Sequence, residues 1–152
     1  MKKKLRVLLA EDDPRDLDLF THALQRDGVS VDVQRVHDGE EAIEYLQGLG
    51  AFADRAAYPF PDIILLDLKM PKVSGLDVLE WRKKHPECAR VPLIMFSGSG
   101  LQKEINAAYR LGANSYFSKP NTFQELRETL KTILHYWSRA ELPETPVGQK
   151  CG

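Results

Sequence analysis

Short apolar runs alternate with segments of helical periodicity five times along the chain, and this alternation constrains the fold more than any other feature. The predicted strands cover residues 5–10, 31–36, 62–67, 91–96 and 114–118. Strands that alternate with helices pair in parallel, with helices on both faces of the sheet. We therefore predict an α/β domain with a five-stranded, doubly wound parallel sheet. Its core should be centred on Val7, Leu9, Ile63, Leu65, Ile94 and Phe96.

A helix is predicted after each strand, from the spacing of apolar residues and from start and stop signals. The first should run from about Pro14 to Asp27, with Gly28 as its stop signal, and residues 86–90 should form a loop. The connection at 48–61 is long and contains several aromatic residues, so we expect the second helix to extend partway into it, followed by an ordered loop. The last helix should begin at the capping box Thr122–Glu125 and continue to about Trp137.

Composition indicates an ordinary globular domain and excludes several classes of protein. The 152 residues are 43% hydrophobic and 28% charged, with a formal net charge of −1, so broad attraction to nucleic acid or to an anionic membrane is not expected. No stretch approaches the roughly 18 apolar residues of a spanning helix. Cys88 and Cys151 suggest neither a disulfide framework nor a metal pair, which favours a reducing cytoplasm. Cys151 is expected to be an exposed thiol.

Polar residues follow four of the predicted strands at the point where each strand ends. They are Glu11, Asp12 and Asp13 after the first strand, Asp67 after the third, Ser97 after the fourth and Lys119 after the fifth. The carboxyl ends of parallel strands share one edge of the sheet, which is where ligands bind in open α/β folds. We therefore expect these side chains to converge.

The chemistry of this set favours phosphoryl transfer. Several carboxylates at close range repel one another, and a hard divalent cation such as Mg²⁺ removes the conflict. Asp67 could act as a carboxylate nucleophile, with Lys119 as a cation and Ser97 as a hydroxyl donor for a phosphoryl group.

Each member of the set also has an ordinary structural interpretation. The acids at 11–13 could only cap a helix, and Asp67 could only cap a loop. Lys119 could be a solvated surface charge, and the small residues at 97–100 a flexible turn. These interpretations would all have to hold at four separate strand ends, so we prefer a functional site.

Four pieces of sequence, L-L-A-E-D-D-P, I-L-L-D-L-K-M-P, I-M-F-S-G and S-Y-F-S-K-P, occur here in this order. Together they resemble the receiver domain of bacterial two-component response regulators. The resemblance covers residues 5–138, which we take as one receiver domain, with 139–152 as a flexible C-terminal tail. It implies the flavodoxin-like (βα)5 fold.

The resemblance also implies a role for each strand-end residue. Asp67 would accept a phosphoryl group from the phosphohistidine of a histidine kinase. Mg²⁺ would be bound by Asp67 and Asp12 directly, by Glu11 mostly through water and by the backbone carbonyl of Lys69, while Asp13 would point elsewhere as a helix cap.

The remaining implied roles belong to the fourth and fifth strands. Lys119 would contact the phosphoryl group, and the Lys119–Pro120 bond resembles one that is often cis in this family. Ser97 would be the switch hydroxyl, with Tyr116 as the aromatic residue that changes rotamer with it.

The long 48–61 connection and the aromatic end of the last helix resemble the small regulators that partner bacterial phytochromes. This implies a cytoplasmic signalling module rather than an enzyme, a phytochrome-type histidine kinase as donor, and no nucleic-acid or membrane partner. It also implies a homodimer formed through the fourth helix, the fifth strand and the fifth helix. Exposed Phe117 and Trp137 would suit that face, whereas aromatic residues at helical spacing are more often ordinary core.

Two other functions are considered. A phosphatase or mutase of the haloacid dehalogenase type also uses an Asp nucleophile after a buried strand, but it needs a second Asp where this chain has Lys69. A degenerate receiver would bind partners without phosphorylation, and the complete acidic set argues against it.

Overall fold

A computed structural model of the chain describes residues 4–24 and 29–151. Within them lies one sheet of five parallel strands in the order β2-β1-β3-β4-β5. The strands are β1 (Leu5–Ala10), β2 (Val31–Val36), β3 (Ile63–Leu66), β4 (Leu93–Ser97) and β5 (Ser115–Ser118). The predicted fold class is confirmed.

Six helices connect and follow the strands in the described ranges. They are α1 (Pro14–Leu24), α2 (Gly39–Gln47), α3 (Gly75–Lys83), α4 (Pro86–Ala89), α5 (Gln102–Arg110) and α6 (Phe123–Arg139). The predicted end of the first helix, at Asp27 and Gly28, falls outside the described residues. The predicted loop at 86–90 is wrong: Pro86 takes the first position of the single turn α4, where its missing N–H costs nothing. Among the described residues, no helix is both long and apolar enough to cross a bilayer.

The sheet is buried on both faces because alternate residues of the central strands belong to two separate apolar clusters. Val7, Leu9, Ile63, Leu65, Ile94 and Phe96, the predicted core, pack with α1 and α6. The residues between them, such as Leu8, Ile64 and Leu66, face α2 and α3 on the other side. This two-sided burial explains why the strands read as nearly continuous apolar runs.

Backbone hydrogen bonds continue beyond the strands at their carboxyl ends and align the residues there. The Asp67 N–H donates to the Ala10 carbonyl at 3.1 Å, and the Glu11 N–H donates to the Val36 carbonyl at 3.1 Å. On the other side, the Lys119 N–H donates to the Ser97 carbonyl at 2.8 Å. The sheet itself therefore fixes the spacing of the polar strand ends.

The predicted extension of the second helix is wrong, because α2 ends at Gln47 where Gly48 takes a left-handed conformation. The connection between α2 and β3 is ordered, as predicted, but the residue that holds it was not anticipated. The guanidinium of Arg55 donates to the carbonyls of Tyr45 at 2.6 Å, Tyr58 at 3.0 Å and Gln149 at 2.8 Å. It also lies over the Tyr45 ring, 5.3 Å from the centroid. One side chain thus joins the end of α2, the loop and the C-terminal segment.

The interpretation of the cysteines is wrong. Cys88 of α4 and Cys151 form a disulfide, with their Cα atoms 5.6 Å apart, and Cys151 is 2% exposed. The Cys151 N–H donates to the Leu46 carbonyl at 2.9 Å. Spacing could not reveal this pair because 63 residues separate the two cysteines. The domain boundary at 138 and the mobility of 139–152 stay predictions.

Candidate functional site

Three carboxylates meet at the carboxyl end of the sheet. Oxygen atoms of Glu11, Asp12 and Asp67 all lie within 4.8 Å of one another. Glu11 and Asp67 are 1% and 7% exposed, whereas Asp12 is open to solvent. The structure therefore brings together the acids that the sequence placed at neighbouring strand ends, with one side accessible from outside.

Lys119 closes the cluster from the fifth strand. Its Nζ donates to the Glu11 carboxylate, to Asp67 Oδ2 at 3.1 Å and to Asp16 Oδ2 at 3.1 Å. Asp16, in the first turn of α1, was missed by the sequence analysis. The available signal was its position in the first turn of the helix that directly follows the acids at 11–13.

The electrostatics of this cluster follow from burial and from crowded charge. Burial raises the pKa of the Glu11 carboxyl to about 8, with the Asp67 charge adding to the rise and Lys119 opposing it. Burial works against the charged form of Lys119, but hydrogen bonds and charges from its acidic neighbours outweigh it and raise the Lys119 pKa above its usual value. One ammonium thus serves more carboxylates than it can neutralise.

The donor set fits a hard divalent cation. Carboxylate oxygens at this spacing, with one exposed member, are the ligands that Mg²⁺ accepts while keeping several waters. Asp12, Asp67 and Glu11 would hold the ion. The Lys69 N–H donates to Asp67 Oδ1 at 3.4 Å, and the Lys69 side chain is exposed. Asp13 instead accepts the Arg15 N–H at 2.9 Å and caps α1.

The loop that follows Asp67 is enclosed by the starts of two helices. A Cβ on Gly75 would collide with the Asp67 carbonyl, and a Cβ on Gly39 would collide with the Val73 carbonyl. The Gly75 N–H donates to the Leu68 carbonyl at 2.8 Å. Ser74 begins α3 with a complete capping box. The backbone around Asp67 is therefore held on both sides at close range.

Ser97 at the end of β4 and Tyr116 in β5 are connected by hydrogen bonds through Ser99, in the loop that follows β4. Ser97 is 1% exposed, and its Oγ accepts the Ser99 N–H at 3.2 Å. The Tyr116 hydroxyl donates to the Ser99 carbonyl at 2.8 Å, and the Tyr116 N–H donates to the Tyr109 hydroxyl at 3.1 Å. Ser99 and Tyr109 were not singled out from the sequence, since neither stands at a strand end.

Two expectations about β5 and α6 need correction. Phe117 and Trp137 were predicted to be exposed, but both are half-buried and pack against the α1–α6 side of the core. The exposed aromatic residue there is Tyr136, at 65%. The Lys119–Pro120 bond is trans, since the described part of the chain contains no cis peptide bond.

The fold and the acidic cluster at the carboxyl end of the sheet are those of a known family. The chain matches the family model of the response regulator receiver domain over residues 7–131, so it belongs to that family. It therefore carries a receiver domain of two-component signalling. This membership favours the receiver interpretation over the dehalogenase-type alternative.

Similar proteins include small response regulators linked to phytochromes. Rcp1 of Synechocystis is 30% identical over 86% of this chain and 87% of its own length. The Mn²⁺-bound form of Rcp1 superposes with a TM-score of 0.82, at 29% identity over 92% of this chain and 99% of that one.

Two further solved structures are as similar. The phosphorylated cyanobacterial phytochrome response regulator RcpA is 34% identical, with a TM-score of 0.86, over 93% of this chain and 100% of that one. RPA3017, a response regulator in red light signalling of R. palustris, is 35% identical, with a TM-score of 0.87, over 93% of this chain and 99% of that one.

Proposed function

We propose that Asp67 accepts a phosphoryl group from the phosphohistidine of a sensor histidine kinase in a Mg²⁺-dependent reaction. The observation that carries this proposal is the position of the Asp67 carboxylate, which ends the central strand between an acidic cluster and the Lys119 ammonium. Phosphoryl transfer depends mainly on positioning and on neutralising the equatorial oxygens. This arrangement supplies both.

Each residue has a defined part in the transfer. An Asp67 oxygen forms the new O–P bond as the N–P bond to the donor imidazole breaks, and the released imidazole takes up a proton from solvent. Asp12, Asp67 and Glu11 would hold a divalent cation together with the Lys69 carbonyl, and this ion would neutralise charge on the transferring group. Lys119 gives up part of its contact with Asp67 and donates to a phosphoryl oxygen instead.

The first experiment is phosphate incorporation from acetyl phosphate, with and without Mg²⁺, resolved on a phosphate-affinity gel. Wild type should give a shifted band only with Mg²⁺, and Asp67→Asn should give none. Asp13→Asn is the matched control, because it makes the same change at a residue that caps α1, and it should behave like wild type. A shifted band in Asp67→Asn would refute the proposal.

The structural response should pass through Ser97 and Tyr116. The Ser97 hydroxyl would turn toward the phosphoryl group, which removes its bond to the Ser99 N–H and frees the Tyr116 ring to move inward. Amide shifts of residues 97–117 should therefore change on phosphorylation in wild type. Identical spectra of the two states across these residues would contradict the switch.

The similar regulators support a phytochrome-type kinase as the phosphoryl donor. We propose a cytoplasmic location for the chain, as for its kinase domain partner. On this proposal the chain is a signalling module whose reactions are its own phosphorylation and dephosphorylation, without a nucleic-acid or membrane partner. Transfer from a phytochrome kinase of the same organism, compared with an unrelated kinase at equal phosphorylation, tests the donor. Equal rates from the two would contradict this assignment.

The face formed by α5, β5 and α6 is the proposed homodimer surface. A shallow cavity of about 300 Å³ lies there beside Phe117, Tyr136 and Trp137. Light scattering over a range of concentrations should show a dimer that Tyr136→Lys weakens. Leu49→Lys, at an exposed residue of the α2–β3 connection, is the control and should leave assembly unchanged. A monomer at every concentration, with and without phosphorylation, would refute this surface.

A further inference from the structure

The C-terminal segment reaches the disulfide by contacts that do not involve sulfur. The Arg6 guanidinium donates to Thr145 Oγ1 at 3.4 Å, and the Phe60 N–H donates to Gln149 Oε1 at 3.2 Å. Arg55 binds the Gln149 carbonyl, and Cys151 binds the end of α2. These contacts therefore hold the segment along the amino end of the sheet and bring Cys151 next to Cys88.

The chain turns sharply just before it arrives. Gly148 and Gln149 both have positive φ, 74° and 53°, and this reversal turns Cys151 inward. Cys151 then joins the apolar cluster that contains Leu46, Phe60 and Cys88. A Cα separation of 5.6 Å is within the range of ordinary disulfides. The backbone thus presents the two cysteines to each other in bonding geometry.

We propose that Cys88 and Cys151 form a reversible redox latch, which fastens the C-terminal segment across the amino end of the sheet and responds to low-molecular-weight thiols and disulfides. The reversibility rests on the cytoplasmic location proposed above, because disulfides in a reducing compartment are characteristically transient or redox-sensing rather than permanent. The latch lies at the opposite end of the sheet from Asp67, and its chemistry uses none of the residues of the proposed phosphorylation.

The exchange chemistry balances with a small disulfide as oxidant. With the segment released, the Cys151 thiolate attacks one sulfur of the small disulfide, which forms a mixed disulfide and expels one small thiolate. The Cys88 thiolate then attacks the Cys151 sulfur, forms the protein disulfide and expels the second. The two cysteine protons pass to the two small thiolates, and two small thiols reverse both steps. Cys88 is 0% exposed while the segment is docked, whereas Cys151 leaves with the segment, so Cys151 is the cysteine that meets the small disulfide first.

The oxidation state can be measured directly on the intact chain. The purified protein is equilibrated in glutathione buffers from fully reduced to fully oxidised, alkylated, and digested with trypsin without reductant. Cleavage after Lys84, Arg90 and Lys150 leaves one diagnostic product, the peptide 85–90 linked to the dipeptide 151–152. We expect this product to appear on oxidation and to disappear on reduction. Its absence from the fully oxidised sample, or a disulfide-linked dimer in its place, would overturn the proposal.

Hydrogen exchange of residues 140–151 separates a latch from two cysteines that merely pack together. Reduction of wild type should speed exchange in this segment at least tenfold, and Cys151→Ser should exchange at the fast rate in both buffers. Thr145→Ala is the control, because it removes one contact of the segment but leaves both cysteines, and it should still respond to redox state. Equal exchange in oxidised and reduced wild type would overturn the latch. Neither readout depends on phosphate uptake, so this proposal can fail while the proposed function stands.

Discussion

Cationic side chains at the two ends of the sheet have different surroundings and pKa shifts of opposite sign. At the carboxyl end, Lys119 is surrounded by carboxylates, and its pKa is raised. At the amino end, Arg55 and Arg82 are bound mainly by backbone carbonyls, and burial lowers the pKa of each, that of Arg82 to about 10. A cation among carboxylates leaves negative charge for a ligand to neutralise. A cation among carbonyls holds loops in place.

The contrast shows how one sheet separates chemistry from stability. Arg82 is 3% exposed and donates to the carbonyls of Val91 at 2.5 Å and Gly112 at 3.1 Å, which precede β4 and β5. These bonds fix where two strands begin. The acids of the carboxyl end, in contrast, repel one another and add little to folding. Substitutions at the amino end should therefore change stability, and those at the carboxyl end should change binding.

The largest expected effect is the loss of the disulfide. A cross-link between residues 63 apart stabilises a fold by about 4 kcal/mol in the chain-entropy account. The double variant Cys88→Ala/Cys151→Ala should lose about that much free energy of unfolding relative to oxidised wild type, measured by urea denaturation. Reduced wild type is the control and should match the double variant. A loss of unfolding free energy below 1 kcal/mol would contradict the proposal that the amino end of the sheet determines stability.

Arg82→Ala should have the next largest effect on stability. It leaves the Val91 and Gly112 carbonyls without their donor and opens a cavity, so it should lower the free energy of unfolding by about 3 kcal/mol. Urea denaturation measures the loss, and Mg²⁺ affinity of the folded protein should stay unchanged. Arg127→Ala, on α6, provides a comparison of the same side-chain deletion elsewhere. A weakened Mg²⁺ affinity in Arg82→Ala would show that the two ends are coupled.

Asp12→Asn should show the reverse pattern at the carboxyl end. Removing one carboxylate oxygen ligand should weaken Mg²⁺ binding at least tenfold, about 1.4 kcal/mol, while the Mg²⁺-free protein keeps or gains stability as repulsion falls. Calorimetric titration gives the affinity. Asp13→Asn carries the same charge change outside the cluster and should bind Mg²⁺ like wild type. Equal weakening of Mg²⁺ affinity in both variants would show that the effect comes from the change in net charge and not from the loss of a ligand.

Tyr116→Phe should give the smallest change. It deletes the hydroxyl that donates to the Ser99 carbonyl, which is worth about 1 kcal/mol of unfolding free energy. Hydrogen exchange should accelerate around residues 97–101 and stay unchanged at 140–151. Acceleration at both places would contradict the separation of the two ends.

The fold could be predicted because its determinants are local. Apolar runs such as 63–66 and helix signals such as the Thr122 cap act over a few residues, and parallel pairing follows from their alternation. The acidic cluster could be predicted for the same reason, since Glu11 and Asp67 follow neighbouring parallel strands.

The features that could not be predicted from the sequence depend on contacts between distant segments. Nothing near Arg55 or Cys151 in the sequence indicates that a C-terminal segment returns to the end of α2. The burial of Phe117 and Trp137 likewise depends on how α6 settles on the sheet. Asp16 lies close in sequence to the acids at 11–13, but its partner Lys119 lies 103 residues away. Long-range pairing of this kind has no local signature.

The two glycines that enclose the Asp67 loop make a prediction about how this chain can vary. Positions 39 and 75 have space only for hydrogen, because any larger side chain meets the carbonyl of Val73 or of Asp67. In a saturation mutagenesis screen scored for folding alone, both glycines should tolerate almost no replacement, whereas Asp67 should accept several. Scored for signalling, all three should become invariant. The same invariance would then have two origins, the volume of the loop and the chemistry of its carboxylate, and only the pair of screens would separate them.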